Sequence, residues 1–268
     1  MPASQPSRPA ARPGARSAKQ RREDILQRAT AEGALTVEVL AEDYGVTPST
    51  IRRDLAGLHD QGLLARTYGG VISKGVPESS LPQRTGEAHA AKVAIAAAAV
   101  ALCGDADSVL LDSGSTVAAM TPFLLHRGEL SVVTPNLQVI TDLAGENGSV
   151  EVLAVAGRLR RLSQSFVGPL AEATLERMHC DIAFLGADAI TRGGQLCEVE
   201  LEQTRLKEIM TRQVDRVVVL AHGAKLGRRV GQGSLQLLPG WTVLTDASAE
   251  PDVIAELRAT GLEVLVAG

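Results

Sequence analysis

Residues 47 to 54 read Thr47-Pro48-Ser49-Thr50-Ile51-Arg52-Arg53-Asp54, a helix whose start, inner face and outer face are all marked in the sequence. Thr47 is a good N-cap. Pro48 then falls at the first helical position, where its missing N–H would have had no intrahelical partner and its fixed φ suits the helix. Ile51, Leu55 and Leu58 recur at helical spacing as one narrow apolar stripe. Ser49, Thr50, Arg52 and Arg53 are left on other faces near the helix N-terminus, where a recognition helix carries its base-reading residues. An arginine pair alone is most simply a solvated helix face, so the reading depends on its flanks.

Upstream, Lys19 to Thr30 carries Ile25, Leu26 and Ala29 on one face and predicts a first helix closed by Gly33. Thr36 is expected to cap a second, short helix with Val37, Leu40 and Ala41 inside. Tyr44-Gly45-Val46 makes the turn into the recognition helix. Downstream, Gly62 ends the helix, Leu63 to Tyr68 alternates apolar and polar, and Gly69-Gly70 turns the strand back through Val71-Ile72 as a wing. Arg66 on that wing would reach a phosphate or the minor groove, and Tyr68 is the second wing candidate. Helix, turn, helix and wing in this order point to binding of double-stranded DNA.

The stretch "AEDYGVTPSTIRRDLAGLHDQGLLARTYGGV" resembles the winged helix-turn-helix of DeoR-type transcriptional regulators, whose signature centres on a "TIRRDL" helix and a "GG" wing. From Glu87 onward the chain resembles the sugar-phosphate sensor domain of the same family. The resemblance covers all but the first 18 residues and the hinge, and it implies an operator-binding repressor of carbohydrate genes controlled by a phosphorylated sugar or polyol phosphate.

At 268 residues the chain is long enough for a small domain and a larger one with its own core. The net charge is −4, unevenly spread: residues 1 to 75 hold 11 Lys and Arg against 8 Asp and Glu, and the remainder holds 16 against 23. The basic end is the DNA end. Residues 1–18 read as a disordered basic arm rather than a signal or transit peptide, because no apolar segment follows the arginines. Residues 19–73 form the DNA-binding head, and 74–86, with Pro77, Pro82, Gly75 and Gly86, read as a hinge. Residues 87–268 form the sensor.

The three cysteines, Cys103, Cys180 and Cys197, lack metal-ligand spacing and read as reduced cytosolic thiols, with Cys103 and Cys180 at helix ends. No metal or cofactor is expected. The apolar run Val93 to Leu102 is too short to span a bilayer, so a soluble, cytoplasmic protein without membrane contact is expected. The sensor alternates helical patterns with apolar runs at Ser108 to Leu111, Leu130 to Thr134, Val150 to Val155, Asp181 to Leu185, Arg216 to Ala221, Thr242 to Leu244 and Glu263 to Val266. Continuous apolar runs separated by crossover-length segments predict an α/β fold with a mainly parallel sheet covered on both faces.

Such sheets bind ligands beyond the carboxyl ends of their strands. Asp112-Ser113-Gly114-Ser115-Thr116 leaves the first strand and enters a helix, a pattern that either cradles phosphate or merely turns the chain. The resemblance favours the cradle. Asn136 after the second strand would bond a sugar hydroxyl or cap a helix. Gly157 precedes Arg158, Arg160 and Arg161, an anion site or a solvated loop. Asp188 in Gly186-Ala187-Asp188 would accept sugar hydroxyls, and Lys207, on a helix from Glu200 to Val214, would neutralise ligand charge.

Ala221-His222-Gly223-Ala224-Lys225-Leu226-Gly227 resembles the family's D-x-S-K-x-G loop. Lys225 matches, but His222 and Ala224 replace the usual acid and serine, and Gln203 stands where a Glu is common. The effector set is therefore Asp112, Ser113, Gly114, Ser115, Thr116, Asn136, Gly157, Asp188, Lys207 and Lys225. An isomerase or deaminase with a DNA-binding head would recruit Asp188 and His222, yet no carboxylate lies at short spacing from His222, and no catalytic residue is assigned. A single head covers few base pairs, so a homo-oligomer is expected.

Overall fold

The computed structural model describes residues 17–32, 35–60, 64–67, 70–73, 81–104, 108–125, 127–145, 149–231 and 233–268. The chain divides into two units, Met1–Pro77 and Glu78–Gly268.

The first unit contains helices α1 (Ala18–Glu32), α2 (Val37–Asp43) and α3 (Pro48–Asp60) and a small sheet of β1 (Leu35–Thr36), β2 (Leu64–Thr67) and β3 (Gly70–Ser73), in the order β1-β3-β2. Both helix starts follow their caps. Thr36 Oγ1 accepts from Val39 N at 3.3 Å, and Thr47 Oγ1 from Thr50 N at 3.3 Å. Ile25, Ala29, Leu40, Ala41, Ile51, Leu55 and Leu58 form one core, so the apolar stripes of the three helices meet. Strand β1 escaped the sequence reading, because two residues give no alternation; Leu35 pairs with Val71. The arm over residues 1–16, hinge residues 74–80, Gly33, Gly62, Tyr68 and Gly69 lie outside the described residues, and for Arg66 only the backbone in β2 is described.

The second unit runs α4 (Leu81–Gly86), α5 (His89–Cys103), β4 (Ser108–Leu111), α6 (Ser115–Ala118), α7 (Thr121–Leu124), β5 (Ser131–Thr134), α8 (Leu137–Leu143), β6 (Glu151–Ala154), β7 (Arg158–Arg160), β8 (Ser165–Val167), α9 (Pro169–Leu175) and β9 (Cys180–Gly186). It continues with β10 (Ala189–Ile190), β11 (Gln195–Glu198), α10 (Leu201–Met210), β12 (Val214–Leu220), β13 (Gly233–Gln236), β14 (Thr242–Asp246), α11 (Pro251–Ala259) and β15 (Glu263–Ala267). The seven apolar runs become one sheet, ordered β15-β14-β12-β9-β4-β5-β6, with every pair parallel.

Its strands are buried on both faces. Leu110, Ala183, Leu185, Val217, Val219 and Val243 face a core that includes Leu206, Ile209 and Leu257 of the later helices, whereas Val109, Leu111, Ile182, Phe184, Val218 and Leu220 face Ile95, Ala96 and Ala99 of α5. The chain enters at β4, runs outward through β5 and β6, and returns to β9 on the other side of β4. Strand order therefore reverses between β4 and β9, and the crevice beyond their carboxyl ends is the expected ligand position.

Four expectations are corrected. The second half of the proposed hinge is helix α4, anchored by buried Leu81, whose N–H donates to Leu162 O at 2.9 Å. Helix α10 stops at Met210, because Val214 already pairs with Cys180 as the start of β12. Cys180 opens a strand rather than ending a helix. The arginine loop is a hairpin, β7 against β8, with Arg158 opposite Val167. A second, antiparallel sheet β10-β11-β13 was invisible to periodicity, its strands having two to four residues.

Candidate functional site

In the first unit, α3 presents Ser49, Arg52 and Arg53 to solvent, with Thr50 half-buried beside them. Thr47 Oγ1 lies 2.8 Å from Ser49 Oγ and 2.9 Å from Thr50 Oγ1, a hydroxyl cluster at the helix start. Arg52 and Arg53 make no ion pair among the described residues. Asp54, next in sequence, turns inward and accepts from Arg21 Nε at 2.7 Å while Arg21 Nη2 lies 2.7 Å away. Both side chains are nearly inaccessible. This bond ties α3 to α1, and sequence reasoning missed it because its partners are 33 residues apart.

In the second unit a cleft opens at the strand-order reversal. Ser113, Gly114, Ser115 and Thr116 line one wall, Gly186, Ala187 and Asp188 another, with Lys207, Gln203, Glu198, Lys225 and Arg84 completing it. The loop after β4 turns at Gly114, φ +117°, where an L side chain is strained and a Cβ meets no protein atom within 4 Å. Helix α6 has only four residues, so anion attraction here rests on the cations rather than on an aligned helix dipole. At Gly186 a Cβ would stand 2.8 Å from Ser113 O, so only glycine lets the β4 and β9 loops close together.

Asp112 does not line the cleft. Its carboxylate accepts from Gly186 N at 2.9 Å, from the Ser113 hydroxyl at 3.3 Å and from the Lys207 ammonium, so it fixes the loop and the lysine. Asn136 does not line it either. Its Oδ1 accepts from Gln138 N and Val139 N as the cap of α8, and its Nδ2 donates to Asp112 O at 3.3 Å and Gly114 O at 3.4 Å. Gly157 lies at the hairpin instead, where a Cβ would stand 2.8 Å from Val167 O. The expectation that these three residues contact the effector is corrected: they are supporting positions, since their polar groups or close approaches are used within the protein.

Ion pairs hold the cleft together. Lys207 is 2% exposed and lies between Asp112 and Glu198, the latter at 3.4 Å. Burial works against its ammonium, but the two carboxylates outweigh it and hold the pKa above the usual lysine range. Arg84 Nη1 is 3.5 Å from Asp188 Oδ1, and Asp188 Oδ2 accepts from Val199 N at 3.2 Å. Lys225 donates to Ala187 O; burial lowers its pKa against the opposing pull of Asp188. Burial pushes Glu198 up to about 8 despite Lys207.

His222 is outside the lining, and burial, with the charges of Lys225 and Lys92, pushes its imidazole down to about 4. No hydrogen bond joins it to Asp188 among the described residues. Cys197 is fully buried, and burial raises its thiol pKa, so it is no nucleophile. Arg84, Glu198 and Gln203 were missed as site residues: the first was assigned to the hinge, the second lies on an unrecognised strand, and the third was noted only for its divergence. No group of metal-ligating side chains occurs, and no helix is long and apolar enough to cross a membrane, among the described residues.

Two family models match, the DeoR-like helix-turn-helix domain over residues 21–75 and the DeoR C-terminal sensor domain over residues 87–246. A relative from Escherichia coli O157:H7, carrying the name of an aga operon transcriptional repressor, is 33% identical over 93% of this chain and 94% of its own. The HTH-type transcriptional regulator GlpR of Haloferax volcanii is 31% identical over 92% of this chain and 96% of its own. The glycerol-3-phosphate regulon repressor of Escherichia coli K12 is 28% identical over 89% and 94%. Ribose 5-phosphate isomerase A from Methanocaldococcus jannaschii aligns with a TM-score of 0.37 and 19% identity, covering 50% of this chain and 52% of that one.

Proposed function

Because the chain belongs to the DeoR family of DNA-binding transcriptional regulators, we propose that it represses a carbohydrate-utilisation operon and that a phosphorylated sugar or polyol phosphate, held in the second unit's cleft, sets its affinity for operator DNA. The observation that carries this reading is the cleft itself: Arg84, Lys207 and Lys225 converge on the Ser113 to Thr116 loop at the strand-order reversal. Arg52 and Arg53 contact bases and phosphates, Ser49 and Thr50 assist, and Arg66 and Tyr68 contribute from the wing. Residues 74–80 join head to sensor, and a cytoplasmic homo-oligomer presents two or more heads to one operator. The relatives named as repressors of the aga operon and the glycerol-3-phosphate regulon support the ligand class.

Coupling requires the effector to bind two arrangements of the heads with different affinity. The test is a pair of titrations against operator DNA selected from a random library: effector into free protein and into operator-saturated protein. A typical coupling changes effector affinity by about 5- to 150-fold, and effector changes operator affinity by the same factor. A panel of phosphorylated sugars supplies the effector, since a ligand at 100 times its Kd stabilises by about 2.7 kcal/mol in a melting experiment. Gly114→Val fills the phosphate position while Arg52 and Arg53 are untouched, so operator binding persists and the response disappears. An unaltered response in that variant places the effector elsewhere.

A further inference from the structure

Two acceptor oxygens in the cleft, Glu198 Oε1 and Gln203 Oε1, have no hydrogen-bond donor among the described residues. Their side chains line the cleft and are well over nine-tenths buried, at 3% and 5% exposure. A buried acceptor without a donor is unfavourable, and a ligand that brings the donor recovers the loss. Lys207 does not meet the need. Its ammonium is directed to Asp112 Oδ2 and reaches Glu198 Oε1 only as an ion pair at 3.4 Å. Nor is the Gln203 amide reversed: the Ser113 hydroxyl donates to Asp112, so Ser113 Oγ accepts from Gln203 Nε2 at 3.5 Å and leaves Oε1 as the end without a partner.

Position and charge narrow the ligand further. Gln203 is tied to Ser113, so its acceptor lies beside the phosphate loop, within reach of the carbons nearest a bound phosphate. The charges facing the cleft nearly cancel, with Arg84, Lys207 and Lys225 against Asp188 and Glu198, and Asp112 beneath Lys207. Asp112 holds Lys207, Asp188 faces Arg84 and Lys225 bonds a carbonyl, so Glu198 is the carboxylate with the weakest claim on a cation. Hydroxyl groups at this wall supply the missing donors. A ligand carboxylate there supplies no donor, and above about pH 8, where Glu198 is ionised, it also meets like charge.

We propose that Glu198 and Gln203 determine which phosphorylated molecule the cleft accepts, selecting hydroxyl-bearing carbons next to the phosphate and rejecting a carboxylate in their place. This rests on the cleft being the effector site. The test is calorimetric titration of the full chain at pH 9, where Glu198 is ionised, with four probes: inorganic phosphate, glycerol 3-phosphate, propyl phosphate, which keeps the carbon skeleton without hydroxyls, and 3-phosphoglycerate, in which a carboxylate replaces the terminal hydroxymethyl group. Wild type is expected to bind glycerol 3-phosphate at least about tenfold more tightly than either propyl phosphate or 3-phosphoglycerate.

Gln203→Leu should bring propyl phosphate and glycerol 3-phosphate to within about threefold of each other, and Glu198→Gln should lift 3-phosphoglycerate by at least about tenfold. Gln203→Met replaces the leucine variant if circular dichroism finds that one unfolded. Equal binding of the three organic phosphates by wild type, or preferences that persist in both variants, overturns the proposal while leaving the cleft reading intact. Binding of none of the four by folded wild type overturns the cleft reading and the proposal with it.

Discussion

The outer face of α3 and the floor of the cleft are both rich in charge, but they use it in opposite ways. On α3 Asp54 turns inward and is held by Arg21 and, at 3.7 Å, by Arg22, whereas Arg52 and Arg53 stay in water with no ion pair among the described residues. In the cleft six ionisable groups come from six separate stretches of chain and are buried or half-buried: Arg84 pairs with Asp188, Lys207 with Asp112 and Glu198, and Lys225 bonds the Ala187 carbonyl. A surplus of solvated cations suits a polyanion met at many sequences, because releasing its counterions supplies affinity without a fixed partner. A balanced buried cluster suits one small molecule, because each acceptor left over asks for a donor in one place.

The sharpest way to break this contrast is to remove a charge from each region and compare stability. Lys207→Met strands Asp112 and Glu198 without their cation and is expected to destabilise the second unit by about 3 to 5 kcal/mol in urea denaturation. Asp54→Ala strands Arg21 in the same manner and should cost about 3 kcal/mol, at the lower end because this pair, at 10% and 8% side-chain exposure, is less completely buried than Lys207 and Asp112 at 2% and 4%. If Lys207→Met denatures like wild type, the cluster is not the balanced assembly described.

Arg52→Ala and Arg53→Ala provide the opposite arm. With neither side chain buried, thermal stability should stay within about 0.5 kcal/mol of wild type, while operator affinity falls by about 1 to 3 kcal/mol for a base contact. A phosphate contact would instead weaken all sequences alike and flatten the salt dependence by about one unit of slope. Unchanged operator affinity in both single variants and the double variant would remove α3 from the proposed interface.

The contrast also explains what was legible before the structure. The head is written locally: cap, proline, apolar stripe and exposed arginines fall within one helix, and Thr47 and Thr36 cap as their positions predict. The parallel sheet was legible for a related reason, since a strand buried on both faces is a continuous apolar run. What escaped was assembled across distance. Arg84 comes from a segment whose Pro and Gly content suggested a linker, and Glu198 ends a four-residue strand whose pattern carries no period. Asp112 and Asn136 have binding chemistry in sequence, but only three dimensions reveal that Gly186 N, Lys207 and the α8 amides already use them.

A smaller effect tests whether Glu198 is the surplus member of the cluster. Burial holds its folded pKa near 8, above the 4.5 of an ordinary glutamate. Below about pH 4.5 the group is protonated in both folded and unfolded chains, so the stability linked to the raised pKa is fully present. As pH rises toward 8 the unfolded chain releases its proton while the folded chain keeps it, and that stability is progressively lost. His222 acts in the opposite sense. Its pKa is depressed from 6.5 to about 4, so its contribution is present above 6.5 and fades as pH falls through that window. Between pH 6.5 and 8 the unfolded-state histidine finishes titrating and Lys92, which burial lowers to about 8, begins to release its proton in the folded chain, so the glutamate slope is read as the difference between two proteins that share those groups. Wild type should therefore lose stability relative to Glu198→Gln, which has no proton to release, across that interval. Matching pH profiles for the two proteins between 6.5 and 8 would mean that Lys207 keeps Glu198 ionised at neutral pH, and that the glutamate repels a ligand carboxylate without an alkaline buffer.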